Sequence, residues 1–304
     1  MNTLRFRSIL LKALIALVVL LLIVLAIVFR PYYFMDYTKL RLKHFCDKSP
    51  PIQYNPDWMS KVSNDTRLID MSIPGTHDSC ALYGTLFGRT QAWPIYTQLF
   101  AGIRYLDVRL RQYYDELQSY HGPMYQLQDF NTVFNSITKF LVEYPTETVI
   151  LQLQDEWNAK NATGTFPEMI TKKLSNKNIS WVEFNPSLTI GECLGKVVIM
   201  PLDNKFKDCD VQNHWEITPG KYSVKDKMKS IAEHIEKSIN TIDRTKMFVN
   251  FLSASNENLR VTPKYVALQV NSVPFKYNGV LGTLLMDFPS EKLIWHIIKQ
   301  NLKE

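Results

Sequence analysis

Short apolar segments with strand-like patterns alternate with helical segments along most of this 304-residue chain. In TETVILQLQDE, apolar side chains alternate with polar ones, as in a half-buried strand, and the helical spacing before it ends at Pro145. Strands that alternate with helices favour a mostly parallel sheet joined by crossovers. The pattern predicts an α/β fold and is compatible with a TIM-type barrel, regular or irregular, with these strand segments: TRLIDMSI, GIRYLDVRLR, TETVILQLQDE, GKVVIMPL, KMFVNFLS and GVLGTLLMD.

An unbroken apolar run, Ala13 to Phe29, precedes this pattern. As a helix its 17 residues would span ~26 Å, near the lower limit for the hydrocarbon core of a bilayer. Lys12 and Arg30 flank the run, and no small-x-small cleavage site follows it. We therefore expect an uncleaved, single-pass transmembrane anchor over residues 1–30, and a cleaved signal peptide is the alternative.

With this anchor, we expect the chain to consist of three parts. After the transmembrane helix (1–30) come a stalk rich in Pro and Asn (31–60) and a catalytic barrel (61–304). A short N-terminal tail usually stays in the cytoplasm, so we expect the barrel on the extracytoplasmic side of the membrane.

The net charge and the cysteine content limit the classes of partner and metal site that we expect for this chain. The net charge of +6 and the pI of 8.9 suit an anionic partner such as a membrane surface. There is no dense run of Lys and Arg with interleaved aromatics, so nucleic acid is not an expected partner. Four cysteines without a CxxC pattern indicate neither a zinc site nor a disulfide-rich scaffold. No cofactor is indicated, and the oligomeric state stays open.

Five ionisable residues lie on or just after the predicted strands, where α/β barrels carry their catalytic groups: His77, Asp78, Arg109, His121 and Asp287. Two histidines can divide the roles of general acid and general base, and a carboxylate can orient each imidazole. A guanidinium suits phosphate oxygens, so the set is compatible with phosphoryl transfer without a metal. The alternative is structural, with each residue serving as a cap, a turn residue or an ion-pair partner.

Seven motifs occur along the chain in one order: MSIPGTHDSC, GIRYLDVR, HGPMY, YPTETVILQLQDE, GECLGKVVIM, KMFVNFLSAS and GTLLMDF. Together they resemble the X-domain family of phosphatidylinositol-specific phospholipases C, and the similarity is greatest to its small bacterial-type members. The resemblance covers roughly residues 55–300. It implies the family's distorted α/β barrel and a phosphatidylinositol-type lipid as substrate.

The resemblance also implies a role for each of the five residues. His77 would be the general base that takes the proton of the inositol 2-hydroxyl, and Asp287 would orient it. Arg109 would bind the phosphate oxygens and stabilise their developing charge. His121 would be the general acid for the diacylglycerol leaving group, with Asp78 as its partner. The implied products are diacylglycerol and an inositol cyclic phosphate.

The same resemblance implies that no metal ion takes part. The calcium-dependent branch of the family has a second carboxylate in the region of LDVR, where this chain has Arg109. A guanidinium substitutes for a cation and would repel one.

Four further residues are implied in substrate binding: Asp107, Gln154, Glu156 and Asp226. Gln154 stands where bacterial relatives carry a lysine, so recognition of the headgroup is expected to differ. Whether the lipid is phosphatidylinositol or a glycosylated form of it stays open.

Two other functions remain open at this stage. One is a catalytically inactive X domain that binds lipid or protein. The complete set of five residues argues against it, because enzymes that have lost their activity usually lack one of the catalytic residues. The other is a metal-dependent phosphodiesterase on a similar barrel. That function calls for clustered Asp and Glu near His77, which the sequence lacks.

Overall fold

The computed structural model describes residues 3–28, 51, 53–84, 86–175, 180–218, 220–256 and 261–302. The chain divides into two compact units, one of residues 1–41 with 257–260 and the other of the remaining residues. The described element of the first unit is a long helix, α1 (Thr3–Val28). All the strands belong to the second unit.

The expected transmembrane anchor over residues 1–30 is wrong. Among the helices of the described residues, none combines the length and the apolar character that crossing a membrane requires. Charged Arg5, Arg7 and Lys12 lie within α1, and the apolar run that remains is shorter than the ~20 residues that a bilayer core needs. The predicted single-pass localisation, with the barrel on the extracytoplasmic side, is wrong for the same reason. Most of the predicted stalk (31–60) lies outside the described residues, so that boundary stays a prediction.

In the described residues, the second unit is built on one sheet of ten strands. Along the sheet the order is β6-β7-β5-β2-β1-β10-β9-β8, with all of these pairs parallel, and β3 and β4 extend β2 as an antiparallel meander. The strands are β1 (Ile73–Thr76), β2 (Tyr105–Tyr113), β3 (Glu116–His121), β4 (Met124–Asp129), β5 (Val149–Asp155), β6 (Trp181–Glu183), β7 (Val197–Ile199), β8 (Cys209–Gln212), β9 (Met247–Phe251) and β10 (Thr283–Met286).

The strand order is that of a barrel opened along one side. From β1 the chain proceeds around the sheet through β2, β5 and β7, and it returns to β1 through β8, β9 and β10. In the described part of the chain, the end strands β6 and β8 do not pair with each other. The sheet is therefore curled and incompletely closed, with parallel strands whose carboxyl ends share one edge.

Helices connect the strands and cover the sheet. They are α2 (Ile95–Ala101), α3 (Phe130–Glu143), α4 (Phe166–Ser175), α5 (Ile190–Cys193), α6 (Val224–Asn240), α7 (Pro263–Val270) and α8 (Glu291–Ile298). On α3 the apolar residues at helical spacing are buried, as the sequence predicts. Ser290 caps α8 by accepting the Leu293 N–H at 3.2 Å, which is also as predicted.

The first predicted strand is displaced toward the carboxyl end. Residues 66–73 were expected to be extended, but Leu68–Asp70 form a 3-10 helix and β1 begins only at Ile73. Arg67 Nε lies 2.7 Å from Asp70 Oδ2, and this i,i+3 ion pair suits a helical turn. The other five predicted strands are confirmed as β2, β5, β7, β9 and β10.

Gly75 lets β1 lie tightly between its neighbours. A Cβ at this position would come within 2.5 Å of Leu285 Cδ2 and 2.9 Å of Tyr105 Cβ, closer than packed carbon atoms approach. All four residues of β1 are buried. The strand that leads directly to His77 is therefore held against β10 along its whole length and against β2 at its last two residues.

Candidate active site

Polar side chains gather at the edge where the parallel strands end. Thr76 of β1 pairs with Met286 of β10 and with Leu106 of β2. The residues that follow these three, namely His77, Asp287 and Asp107, therefore lie level with one another. The register of three strands assembles the centre of the site from distant parts of the sequence.

Both ring nitrogens of His77 are hydrogen-bonded. Nδ1 lies 2.8 Å from Asp287 Oδ1, and Nε2 lies 2.8 Å from Nη2 of Arg109. Because a guanidinium can only donate, Nε2 accepts, and the ring proton lies on Nδ1, which donates it to Asp287. The side chains of His77 and Asp287 are 14% and 2% exposed. This arrangement leaves Nε2 as the basic nitrogen of an oriented, neutral imidazole.

Arg109 lies among three carboxylates. Its Nη2 is 3.3 Å from Asp107 Oδ2, its Nη1 is 3.7 Å from Glu156 Oε2, and its Nε is 3.9 Å from Asp78 Oδ2. Burial disfavours its charge, but Asp107, Asp78 and Glu156 raise the pKa of Arg109 above its ordinary value. The site therefore carries a permanent cation beside the basic nitrogen of His77.

Asp107 fixes Arg109 to the sheet. Its Oδ2 accepts the backbone N–H of Asp78 at 3.1 Å as well as Arg109, and its Oδ1 accepts from the amide of Gln154. Burial opposes ionisation, yet Arg109, His77 and these hydrogen bonds hold the pKa of Asp107 below its ordinary value. Asp107 is thus an ionised partner that orients the guanidinium.

The side chain of Gln154 joins Asp107 to a lysine that the sequence analysis missed. The oxygen of Gln154 accepts a hydrogen bond from Nζ of Lys205, a half-buried residue of the loop between β7 and β8. Burial lowers the pKa of Lys205, and Asp107 and Glu156 oppose this effect. A neighbouring loop therefore brings an ammonium to the strand end at which Gln154 lies.

Asp78 is a buried carboxylate with few polar contacts to offset the loss of its hydration. Its backbone is left-handed, with φ of 39°, and neither side-chain oxygen accepts a hydrogen bond from the described residues. Its Oδ2 lies 3.7 Å from His121 Nδ1. Burial raises the pKa of Asp78 above its ordinary value, although His121, Arg109 and His77 act in the opposite direction. The carboxylate is thus held ready to stabilise a cation at His121.

His121 is the last residue of β3, directly before the turn that leads into β4. Its Nδ1 lies 3.0 Å from the carbonyl oxygen of Gly88, so Nδ1 carries a proton and donates it. The next residue, Gly122, donates its N–H to Glu156 Oε1 at 2.8 Å. Since Glu156 also faces Arg109, it links the turn after His121 to the centre of the site.

Two glutamines that the sequence analysis missed hold the loop after β1. The amide of Gln91 donates to the carbonyl oxygens of His77 at 2.7 Å and Met286 at 2.9 Å, which ties the ends of β1 and β10 together. Gln98 donates to Ser79 O at 2.8 Å and accepts from Thr76 Oγ1 at 2.8 Å. Gln91 lies in a loop and Gln98 lies in α2, and a single glutamine has no distinctive pattern in either setting, so this role has no sequence signal.

The structure brings together eight of the nine predicted site residues. The exception is Asp226, which lies in the first turn of α6, where its Oδ2 accepts from the N–H and Oγ of Ser223 at 2.8 and 2.7 Å. This is a capping box at a helix start. A role for Asp226 in binding substrate stays a prediction.

Comparison with known proteins identifies the family. Residues 65–201 match the family described as phosphatidylinositol-specific phospholipase C, X domain. Over 279 residues the chain is 30% identical to the 1-phosphatidylinositol phosphodiesterase of Listeria monocytogenes, which covers 80% of this chain and 84% of that protein. The chain belongs to the phosphatidylinositol-specific phospholipase C family. The family resemblance of its motifs and its assignment as a phosphatidylinositol-specific phospholipase C are confirmed.

Solved phospholipase C structures of this family share the fold. The structure of the enzyme from Listeria monocytogenes aligns with a TM-score of 0.68 at 27% identity, over 83% of this chain and all of that one (100%). A structure of the Staphylococcus aureus enzyme aligns with a TM-score of 0.72 at 20% identity, over 82% of this chain and 98% of that one. The predicted α/β barrel is confirmed as a curled, TIM-like barrel.

Proposed function

We propose that this phospholipase C cleaves phosphatidylinositol by general acid–base catalysis at the cluster around His77. The observation that carries the proposal is the position of His77 between Asp287 and Arg109, each at 2.8 Å. An imidazole whose Nδ1–H is held by a carboxylate presents Nε2 as a base. A guanidinium beside that nitrogen suits a phosphate next to the hydroxyl that loses its proton.

The first half of the reaction uses His77 and Arg109. The inositol 2-hydroxyl takes the place of Arg109 at Nε2 of His77, and the guanidinium turns to the phosphate oxygens. Nε2 accepts the hydroxyl proton while the hydroxyl oxygen bonds to phosphorus. Asp287 stabilises the imidazolium that forms, and Arg109 stabilises the charge on the phosphate oxygens.

The second half uses His121 and Asp78. The bond between phosphorus and the diacylglycerol oxygen breaks as His121 gives a proton to that oxygen. The buried carboxylate of Asp78, 3.7 Å from Nδ1, favours the protonated imidazole that this step needs. Diacylglycerol and an inositol 1,2-cyclic phosphate result, and in a slower step water opens the ring.

The polar groups beside Arg109 bind the hydroxyls of the headgroup in this proposal. Lys205, Gln154 and Glu156 surround the guanidinium or its partner Asp107, and each can donate to or accept from a hydroxyl. Lys205 reaches the site from a loop and places a cation beside Gln154.

The proposal excludes a metal cofactor for this reaction. The carboxylates of Asp107, Asp78 and Glu156 all lie within ion-pair distance of Arg109, so a guanidinium already occupies the position between them. A divalent cation at the same place would have to displace it.

The test is a turnover assay of the purified full chain on phosphatidylinositol and on a glycosylated phosphatidylinositol, with excess calcium chelator. We expect an inositol cyclic phosphate as the first product and unchanged rates with chelator. H77A is the catalytically silent control. Loss of activity with chelator and recovery with calcium would support a metal-dependent phosphodiesterase, and no turnover of either lipid would support an inactive binding module.

A further inference from the structure

A buried lysine lies behind the His77–Asp287 pair, and the proposed reaction does not use it. Lys227 is on α6, and its side chain is 0% exposed. Lysine is almost never fully buried without a compensating partner, because removing an ammonium from water costs several kcal/mol. The position of Lys227 therefore calls for an explanation beyond the packing of a helix.

The hydrogen bonds of this ammonium go to neutral groups at the end of β8. Nζ donates to Oε1 of Gln212 at 3.0 Å and to the carbonyl oxygen of His214 at 2.6 Å. The imidazole of His214 stacks on Tyr222, with ring centroids 3.7 Å apart. Within the described residues, no carboxylate forms an ion pair with Nζ, and the charge that acts on the ammonium is the carboxylate of Asp287.

A second connection runs through Gln212 to the ring of His77. The amide nitrogen of Gln212 donates to Asn250 Oδ1 at 2.7 Å and to the carbonyl oxygen of Phe251 at 3.0 Å. The ring of Phe251 meets the ring of His77 edge to face, with centroids 5.9 Å apart. Lys227 is thus linked to His77 by packing through β9 and by charge through Asp287.

We propose that Lys227 is a positioning residue for the general-base pair. Its ammonium holds the end of β8 against β9, and its charge favours the ionised form of Asp287. An ionised Asp287 accepts the Nδ1–H of His77, which fixes the tautomer that has its lone pair on Nε2 and so makes Nε2 available as the base. The inference rests on the proposed role of His77 and assigns Lys227 no contact with substrate.

The ionisation of Lys227 adds a pH dependence. Burial lowers the pKa of Lys227 to about 7, and Asp287 only partly opposes this effect. The groups that face Nζ are Asp287 from the end of β10 and, from the end of β8, Gln212 and the backbone of His214. Below neutral pH the ammonium is charged and disfavours a second positive charge on His77. Its removal is therefore expected to make His77 more basic.

The experiment compares K227M, which removes both charge and hydrogen bonds, with K227Q, which removes the charge and keeps a donor. K229M is the matched control, because Lys229 lies on the same helix with its side chain 74% exposed. The readouts are the pKa of His77, from NMR of its ring protons, and the pH profile of kcat/KM, with thermal unfolding as a check of folding.

We expect both Lys227 variants to raise the measured pKa of His77 by roughly half a unit to one unit. The acid limb of kcat/KM should move upward equally, and kcat should fall about tenfold or more in K227M with KM little changed. K229M should match the unsubstituted protein. K227Q keeps the test valid if K227M fails to fold.

An unshifted His77 titration in K227Q, or a loss of activity with an unchanged pH profile, would overturn the inference. Failure of the proposed function looks different, since normal turnover in H77A would show that His77 is not the base. The NMR titration does not depend on turnover, so the two failures can be told apart.

Discussion

At the scale of single residues, the two histidines differ in their neighbours rather than in their chemistry. His77 has a carboxylate at one nitrogen and a guanidinium at the other, each at 2.8 Å. His121 donates to the carbonyl of Gly88 and lies 3.7 Å from a buried carboxylate. The guanidinium beside Nε2 of His77 suits a phosphate next to the proposed base, and the carboxylate near His121 suits an imidazole that acts as the proposed acid. Their surroundings therefore divide the roles of base and acid.

Replacing either histidine is expected to reduce turnover of phosphatidylinositol at least ~100-fold, the usual scale for a general acid or base. A substrate whose leaving group needs no proton should restore much of the rate in H121A and little in H77A. H214A is the control, because that imidazole is exposed and stacks on Tyr222. Near-normal rates in a folded H77A or H121A would contradict the assignment.

Arg109 should not be replaceable by lysine. Its Nη2 reaches His77 and Asp107 and its Nη1 reaches Glu156, and a single ammonium cannot occupy both of these positions. We expect R109K to lower kcat/KM by at least about tenfold while the protein remains folded, measured by steady-state kinetics and circular dichroism. R111K is the matched control on the same strand. Equal rates for R109K and the unsubstituted protein would show that charge alone suffices.

At the scale of elements, the sequence predicts strands and their polar ends better than it predicts loops. The predicted strands at β2, β5, β7, β9 and β10 show an alternating or continuous apolar pattern that reflects burial in a sheet. β1 is misplaced because Pro74 and Gly75, which usually end strands, lie inside it. Pro74 fits because its carbonyl accepts the Arg104 N–H at 2.9 Å.

The residues of the candidate site also divide into those that the sequence predicts and those that it does not. His77, Asp107, Arg109 and Asp287 are predictable because each lies on a strand or directly after one. Lys205 is not, because it reaches the site from a loop and only the folded chain shows where its Nζ lies. Register decides which strand ends meet, and loop conformation decides which side chains reach over them.

The tight fit of β1 gives a prediction about stability. G75A should reduce the free energy of unfolding by about 1–3 kcal/mol, because the new methyl group would collide with Leu285 and Tyr105. Activity should fall too, because β1 carries His77. G164A is the control, since a Cβ there would make contacts of 3.4 Å or more. Urea denaturation measures the difference, and equal stability of the two variants would contradict tight packing at β1.

At the scale of the whole molecule, function and stability conflict at Asp78. Burial raises the pKa of Asp78 in the folded state above its value in the unfolded chain. Unfolding therefore releases a proton, and the contribution of Asp78 to stability declines as the pH rises from ~4 through its folded pKa. On the proposed mechanism, the folded enzyme maintains a destabilising charge at Asp78 because His121 needs a carboxylate beside it.

D78N should therefore be more stable than the unsubstituted protein at neutral pH, by roughly 1 kcal/mol, and less active. The gain should shrink as the pH is lowered through the folded pKa toward ~4, below which the aspartate is protonated in both states. D65N, at an exposed aspartate, is the control. Urea titrations at the two pH values measure the effect, and a gain that grows on acidification would contradict it.

The pairing of β1 with the last strand of the sheet also governs when a newly made chain gains its activity. The hydrogen bond between His77 and Asp287 joins positions 210 residues apart. On the ribosome, the amino-terminal part of the barrel emerges and begins to fold well before β10 is synthesised. On the proposed mechanism, His77 therefore has no orienting carboxylate until β10 has been synthesised. Turnover is expected only after this strand has joined the sheet.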